Sequence, residues 1–148
     1  MRRSLMKSCL GTIALAVSQI AFANVAAAQG VLPSTDTVMV DIRCLPGNGV
    51  SFSLAPWTVQ LRQGETVDWV LHPDAGVSEI SITPKQPAWP FQETGPYRGN
   101  AANGPKARNM RAAQAIGARF GYNVNASCTR ADGSTSRIII DPDMIIVR

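Results

Sequence analysis

Short bursts of alternating apolar and polar residues run along most of this chain, each bounded by turn formers. In Val38-Met-Val-Asp-Ile-Arg-Cys44, the residues Val38, Val40, Ile42 and Cys44 share one side, the period-two signature of a half-buried strand. Leu45-Pro-Gly-Asn-Gly49 is a turn cluster, after which Val50-Ser-Phe-Ser-Leu54 alternates again. Pro, Gly and Asn punctuate in this way because each favours backbone that a strand ladder does not use. Thr58-Val-Gln-Leu-Arg62 follows Pro56-Trp57. Gln63-Gly64-Glu65 then turns the chain into Thr66-Val-Asp-Trp-Val-Leu71, with Val67 and Trp69 on one face. Ile80-Ser-Ile82, Phe120-Gly-Tyr-Asn-Val-Asn-Ala126, Arg137-Ile-Ile-Ile140 and Met144-Ile-Ile-Val147 complete the set, the last two separated by Asp141-Pro-Asp143. Seven or eight short strands at fairly regular spacing predict an all-β fold, an antiparallel sandwich or barrel.

The rhythm fails between residues 84 and 119. Pro84, Pro87, Pro90, Pro96 and Pro105, with Gly95, Gly99 and Gly104, interrupt strand and helix alike, because proline lacks the N–H that either ladder needs. Only Lys106–Ala118 is Ala-rich enough to predict a short helix, with Met110, Ala113 and Ile116 toward the core. This stretch reads as an irregular flap between strands. Residues 29–36 show no periodicity and predict a flexible N-terminus, leaving 37–148 as the folded domain. A total of 148 residues suits a single domain.

Residues 1–28 follow another logic. Arg2, Arg3 and Lys7 precede an apolar run from Leu10 to Ala23, and Ala26-Ala-Ala28 offers small residues for cleavage. A basic head, an apolar centre and a small-residue exit predict a secretory signal peptide. The apolar run is short for a membrane anchor. The formal charge of +4 comes from 14 Lys+Arg against 10 Asp+Glu, and three of those cations lie in this leader. Without them the excess is a single charge, so the basic pI gives no ground for nucleic-acid binding. No later segment is apolar enough to span a bilayer. The expected location is periplasmic or secreted.

Export alters the reading of the cysteines. Cys9 leaves with the leader, and Cys44 and Cys128 remain as an even pair in an oxidising compartment. A disulfide closing a loop of about 80 residues would stabilise the fold by ~4 kcal/mol. Two separate buried thiols are the competing reading.

Candidate chemistry is sparse. Arg98, Lys106, Arg108, Arg111 and Arg119 make 98–119 a stretch of five cations without an acid. With Trp89 and Phe91 they form a candidate partner-binding flap for an acidic protein or envelope component. The alternatives are cations balanced by acids elsewhere, and Trp89-Pro-Phe91 as a plug closing one end of the sandwich. Trp57 is a further member of this aromatic set. His72, before Pro73, is the chain's one histidine. It reads as a turn residue or as a weak metal ligand with Asp74 or Glu79. Asp141-Pro-Asp143 reads as a bulge or turn whose carboxylates bond local backbone, rather than as an acid/base pair. No Gly-x-Ser-x-Gly, phosphate loop or dinucleotide fingerprint is present. Asn125-Ala-Ser127 matches a glycosylation sequon but lies in a strand-like run.

Thr58-Val-Gln-Leu-Arg-Gln-Gly-Glu-Thr-Val-Asp-Trp-Val70 resembles the cupredoxin stretch in which a Gly-Asp/Glu turn leads into a Thr-Val-x-Trp-Val strand. Tyr122-x-Val124-x-x-x-Cys128 resembles the strand that ends in the copper cysteine of that family. The likeness covers most of residues 38–148 and implies a Greek-key β-sandwich of two sheets. It also implies a type 1 copper site, which takes two His, one Cys and a weak Met. Here the pattern departs. Val77-Ser-Glu79 stands where the first His belongs, and Thr129-Arg-Ala-Asp-Gly133 contains no second His. Met144 lies too far along the chain. The implied fold thus comes without copper and without another cofactor. Cys44 and Cys128 fall where the family's topology puts the copper pole, which places a structural disulfide there. The resulting expectation is a non-enzymatic, exported binding or structural module. The alternative is a periplasmic copper or zinc handling or redox accessory protein using His72, Met residues or the Cys44/Cys128 pair.

Overall fold

The computed structural model describes residues 34–148, apart from Ala113. The predicted signal peptide, the candidate cleavage site and residues 29–33 lie outside the described residues. Ten strands form among the described residues: β1 (Thr35–Cys44), β2 (Val50–Ala55), β3 (Thr58–Leu61), β4 (Thr66–Leu71), β5 (Glu79–Pro84), β6 (Tyr97–Asn100), β7 (Lys106–Ala107), β8 (Arg119–Thr129), β9 (Thr135–Ile140) and β10 (Asp143–Ile146). The alternating runs all appear. β1 starts at Thr35, and β6 and β7 are added inside the proline-rich stretch.

The strands make a β-sandwich. One sheet has the order β2-β1-β4-β7, and the other β3-β10-β8-β5-β6, with β9 also on β8. The sheets are mixed rather than purely antiparallel, because β1 runs parallel to β4 and β10 runs parallel to β3. The long strand β8 organises the second sheet. It takes β5 along one edge and β9 followed by β10 along the other. Asp141 and Pro142 interrupt that second edge, yet the ladder carries across, since the N–H of Tyr122 donates to the Pro142 carbonyl at 3.1 Å.

Strand parity decides the core. Val38, Val40 and Ile42 of β1 face inward beside Val67, Trp69 and Leu71 of β4. They meet Ile80, Ile82, Tyr122, Val124, Ile140 and Met144 of the second sheet. One residue of slip in any of these strands would turn its apolar set to solvent, so the pattern fixes the register. Gly104 permits one close approach: a Cβ there would lie 2.0 Å from the Trp69 carbonyl oxygen.

The helix predicted for 106–118 does not form, and the only helical turn among the described residues is a 3-10 turn at Pro46–Asn48. Lys106–Ala107 pairs with β4 instead. Asn109 and Gly117 take positive φ values of 55° and 83°, which a helix cannot accommodate. The N–H of Arg111 donates to the Pro90 carbonyl at 2.7 Å. Alanine's helical preference amounts to tenths of a kcal/mol per residue, and these non-local backbone bonds outweigh it.

Candidate functional site

The aromatic residues of the flap point inward. Trp89 is 2% exposed and Phe91 fully buried. Trp89 meets Phe120 and Tyr122 edge-on, with ring centroids 6.5 and 6.3 Å apart. Its indole N–H donates to the Tyr97 hydroxyl at 2.9 Å, and that hydroxyl donates to the Glu93 carbonyl. Burial raises the pKa of Tyr97 and pushes that of Tyr122 up to about 12, as expected where a phenolate would lose its hydration. Trp89 and Phe91 are therefore packed inside the fold and present no ring face to solvent. Trp57 stands apart from them, half exposed and 6.4 Å from Phe52.

The flap's cations are mostly neutralised by strands. Arg98 meets Glu79 at 3.4 Å, Lys106 lies 3.9 Å from Asp68, Arg108 also pairs with Asp68, and Arg119 meets Asp143 at 2.6 Å. Arg111 donates to the carbonyls of Phe91 and Gln92 at 3.0 and 3.3 Å. The stretch is one-signed only along the chain. In space each cation except Arg111 faces a carboxylate, which removes the basis for a uniformly basic surface. Such exposed pairs are each worth about 0–1 kcal/mol, and their effect is to tie the flap down.

Cys44 and Cys128 form a disulfide with Cα atoms 5.7 Å apart. It ties the end of β1 in one sheet to the end of β8 in the other, and the Cys44 sulfur lies 3.3 Å from the Gly76 carbonyl oxygen in the β4–β5 turn. His72 belongs to the same turn. Its Nδ1 accepts the Asp74 N–H at 3.2 Å. Among the described residues, no group of three or more His, Cys, Asp or Glu is placed to hold a metal ion. Asp141 and Asp143 bond distant side chains rather than local backbone. Asp141 pairs with Lys85, and Asp143 accepts the Thr58 hydroxyl at 2.6 Å as well as Arg119.

An open groove of about 540 Å³ lies on the outer face of the second sheet. Ser81 and Thr83 of β5, Arg98 of β6, Asn125 and Ser127 of β8, and Arg137 of β9 line it, with Glu79 and Pro96 at its margin. Strand parity places them: each alternates with a buried neighbour, such as Ile82, Val124, Ala126 or Ile138. Register does the rest. Ser81 lies opposite both Arg98 and Asn125, and Ser127 opposite Arg137. Asn125 is the hub. Its Nδ2 donates to the Ser81 carbonyl at 3.1 Å and to the Thr83 hydroxyl at 3.2 Å, and its Oδ1 accepts Arg137 at 3.1 Å. The sequon asparagine is thus committed within the sheet.

Arg137 has no carboxylate within 4 Å among the described residues, and its one side-chain bond leaves most of its five donors free. The groove therefore offers one uncompensated guanidinium, a second one loosely held by Glu79, and several hydroxyls. Its lining contains no thiol and no imidazole. Such a surface can hold an anionic group and hydrogen-bond its neighbours. Arg98 was anticipated from charge alone, whereas Ser81, Asn125, Ser127 and Arg137 were not marked as a site. Their shared outward parity was the available signal, but it converges only once the strand pairing is known.

No helix among the described residues is long and apolar enough to cross a membrane. The disulfide is compatible with a periplasmic or extracellular protein. No protein-family model matches the chain, and no curated protein matches it.

Proposed function

We propose that this chain is an exported, non-enzymatic binding module of cupredoxin-like, Greek-key architecture without copper, and that it takes an anionic, hydroxyl-rich component of the cell envelope in the groove on its outer sheet face. The observation that carries the reading is Arg137, an uncompensated guanidinium on a rigid strand, set among Ser81, Asn125 and Ser127. A guanidinium presents paired N–H groups that match a carboxylate, and the flanking hydroxyls and amide suit the hydroxyls of a sugar. The strands hold these groups in place, so little conformational entropy is lost on binding. The leader-like N-terminus and the interstrand disulfide support export. The disulfide at the ends of β1 and β8 takes the place a copper centre holds in the resembling family.

The test is calorimetric titration of the purified protein with trigalacturonate at low and at 0.3 M salt. Maltotriose serves as the neutral control and copper and zinc salts as competing ligands. Binding of the acidic sugar that weakens with salt and drops at least tenfold in Arg137→Ala is expected. Equal affinity for maltotriose, or loss of all sugar binding beside one equivalent of bound metal, would overturn the reading and favour metal handling.

A further inference from the structure

A sheet ends in strands whose outer backbone groups lack partners, and folded proteins blunt these edges with charge, proline, shortness or cover. Most edges here are blunted. β7 spans two residues, one of them Lys106, and runs on into Arg108. β6 carries Arg98, and the 100–103 turn folds back on its end, the N–H of Asn100 donating to the Asn103 carbonyl at 3.0 Å. β3 is four residues long and leads into Arg62, and β9, which pairs with β8 alone, carries Arg137. β2 differs. Val50-Ser-Phe-Ser-Leu-Ala55 has no charge and no proline, and among the described residues it pairs with β1 on one side only.

The same edge carries exposed aromatic surface. Phe52 lies opposite Ile42 and so has inward parity, yet it is 51% exposed. Trp57, 46% exposed, lies beside it. Isolated exposed apolar residues are ordinary. Two adjoining rings at an unprotected edge are not explained by the fold itself.

We infer that β2 is a self-association edge, pairing antiparallel with β2 of a second copy about a two-fold axis at Phe52. That register preserves parity, as a continuous sheet requires. It sets Phe52 against Phe52, Val50 against Leu54, and Ser51 against Ser53. Charge does not oppose it. Asp41 and Arg43, the β1 neighbours of Ser53 and Ser51, pair with one another inside each copy at 3.0 Å, so no like charges meet across the joined edge. An isologous contact of this kind closes at two and does not propagate. Its strength is limited. Half of two aromatic side chains per copy amounts to roughly 300–500 Å² in total, well short of the ~1,200 Å² of a stable interface. The dimer is therefore reversible and concentration-dependent.

Sedimentation equilibrium of the purified protein from about 5 µM to 1 mM tests this, together with amide chemical shifts over the same range. A monomer–dimer equilibrium with shifts confined to 50–55 and their β1 neighbours is expected. Ser53→Lys places like charges at the edge while leaving the core untouched. It should weaken association at least tenfold with an unchanged unfolding midpoint. Phe52→Ser should weaken it by a different route. A wild-type protein monomeric at 1 mM, or a dimer that persists in Ser53→Lys, would overturn the inference. So would concentration-dependent shifts confined to the groove around Arg137.

Discussion

The disulfide offers the largest single effect that the structure allows to be worked out. Cys44 and Cys128 are separated by 84 residues in sequence. In the chain-entropy model, releasing a loop of that length gives the unfolded ensemble back ~4 kcal/mol of conformational freedom. Most single domains hold only about 5–15 kcal/mol in total. The loss therefore consumes a large part of the stability while leaving the backbone ladders of β1 and β8 in place. The Cys44→Ala/Cys128→Ala variant isolates it: Cys128 is 3% exposed, and alanine leaves only a small void and no buried hydroxyl. Urea unfolding followed by tryptophan fluorescence should show a drop of ~4 kcal/mol. The thermal midpoint should fall by roughly 10–20 °C for a domain of this size. Wild-type protein kept in reductant should move to the same place, and the variant should not respond to reductant at all. A loss below ~1 kcal/mol, or two titratable thiols in unreduced protein, would refute the reasoning.

Three further outcomes follow from the packing. Trp89→Ala removes a buried ring and leaves the Tyr97 hydroxyl without its donor, so it should cost ~3–5 kcal/mol in denaturant unfolding while leaving ligand affinity in the groove unchanged. Loss of binding without loss of stability would reverse the assignment of Trp89 to the packed interior. Gly104→Ala drives a Cβ into the Trp69 carbonyl and should destabilise by at least ~1–3 kcal/mol, read as a lowered melting midpoint; a neutral result would mean β4 is not held as described. Asp36 has its pKa raised from 3.8 by burial, with the nearby Glu65 adding to it and Arg62 opposing. The folded chain thus keeps this proton at a pH where the unfolded chain releases it, so stability attributable to Asp36 declines as pH rises above about 4. Asp36→Asn should raise the unfolding midpoint at pH 7 and flatten that decline; a lower midpoint would contradict it.

What the sequence disclosed depended on whether the controlling interaction was local. The alternation in 38–44, 66–71 and 120–126 located β1, β4 and β8, because parity is written in consecutive residues. β6 and β7 were missed. Tyr97-Arg-Gly-Asn100 is too short to show a period, and Lys106–Ala107 is a strand only because Val67 and Asp68 lie alongside. The helix expected for 106–118 failed for a related reason: its backbone donors and acceptors are claimed by Pro90 and by β4. The parallel pairs β1–β4 and β3–β10 leave no local trace at all. The candidate site followed the same rule. The even cysteine pair was legible from composition and the leader-like N-terminus. The basic stretch is one-signed only along the chain, because Glu79, Asp68 and Asp143, which face its cations, come from strands remote in sequence. The groove was invisible, since Ser81, Asn125 and Arg137 become neighbours only through the pairing of β5, β8 and β9.

The most direct measurement of the central claim is amide chemical-shift mapping of the ¹⁵N-labelled protein titrated with trigalacturonate. Saturable shifts are predicted at Ser81, Arg98, Asn125, Ser127 and Arg137, all abolished by Arg137→Ala. Shifts centred on His72 and the Cys44–Cys128 pole, or no saturable shifts at millimolar sugar, would contradict the assignment of the groove as the binding surface.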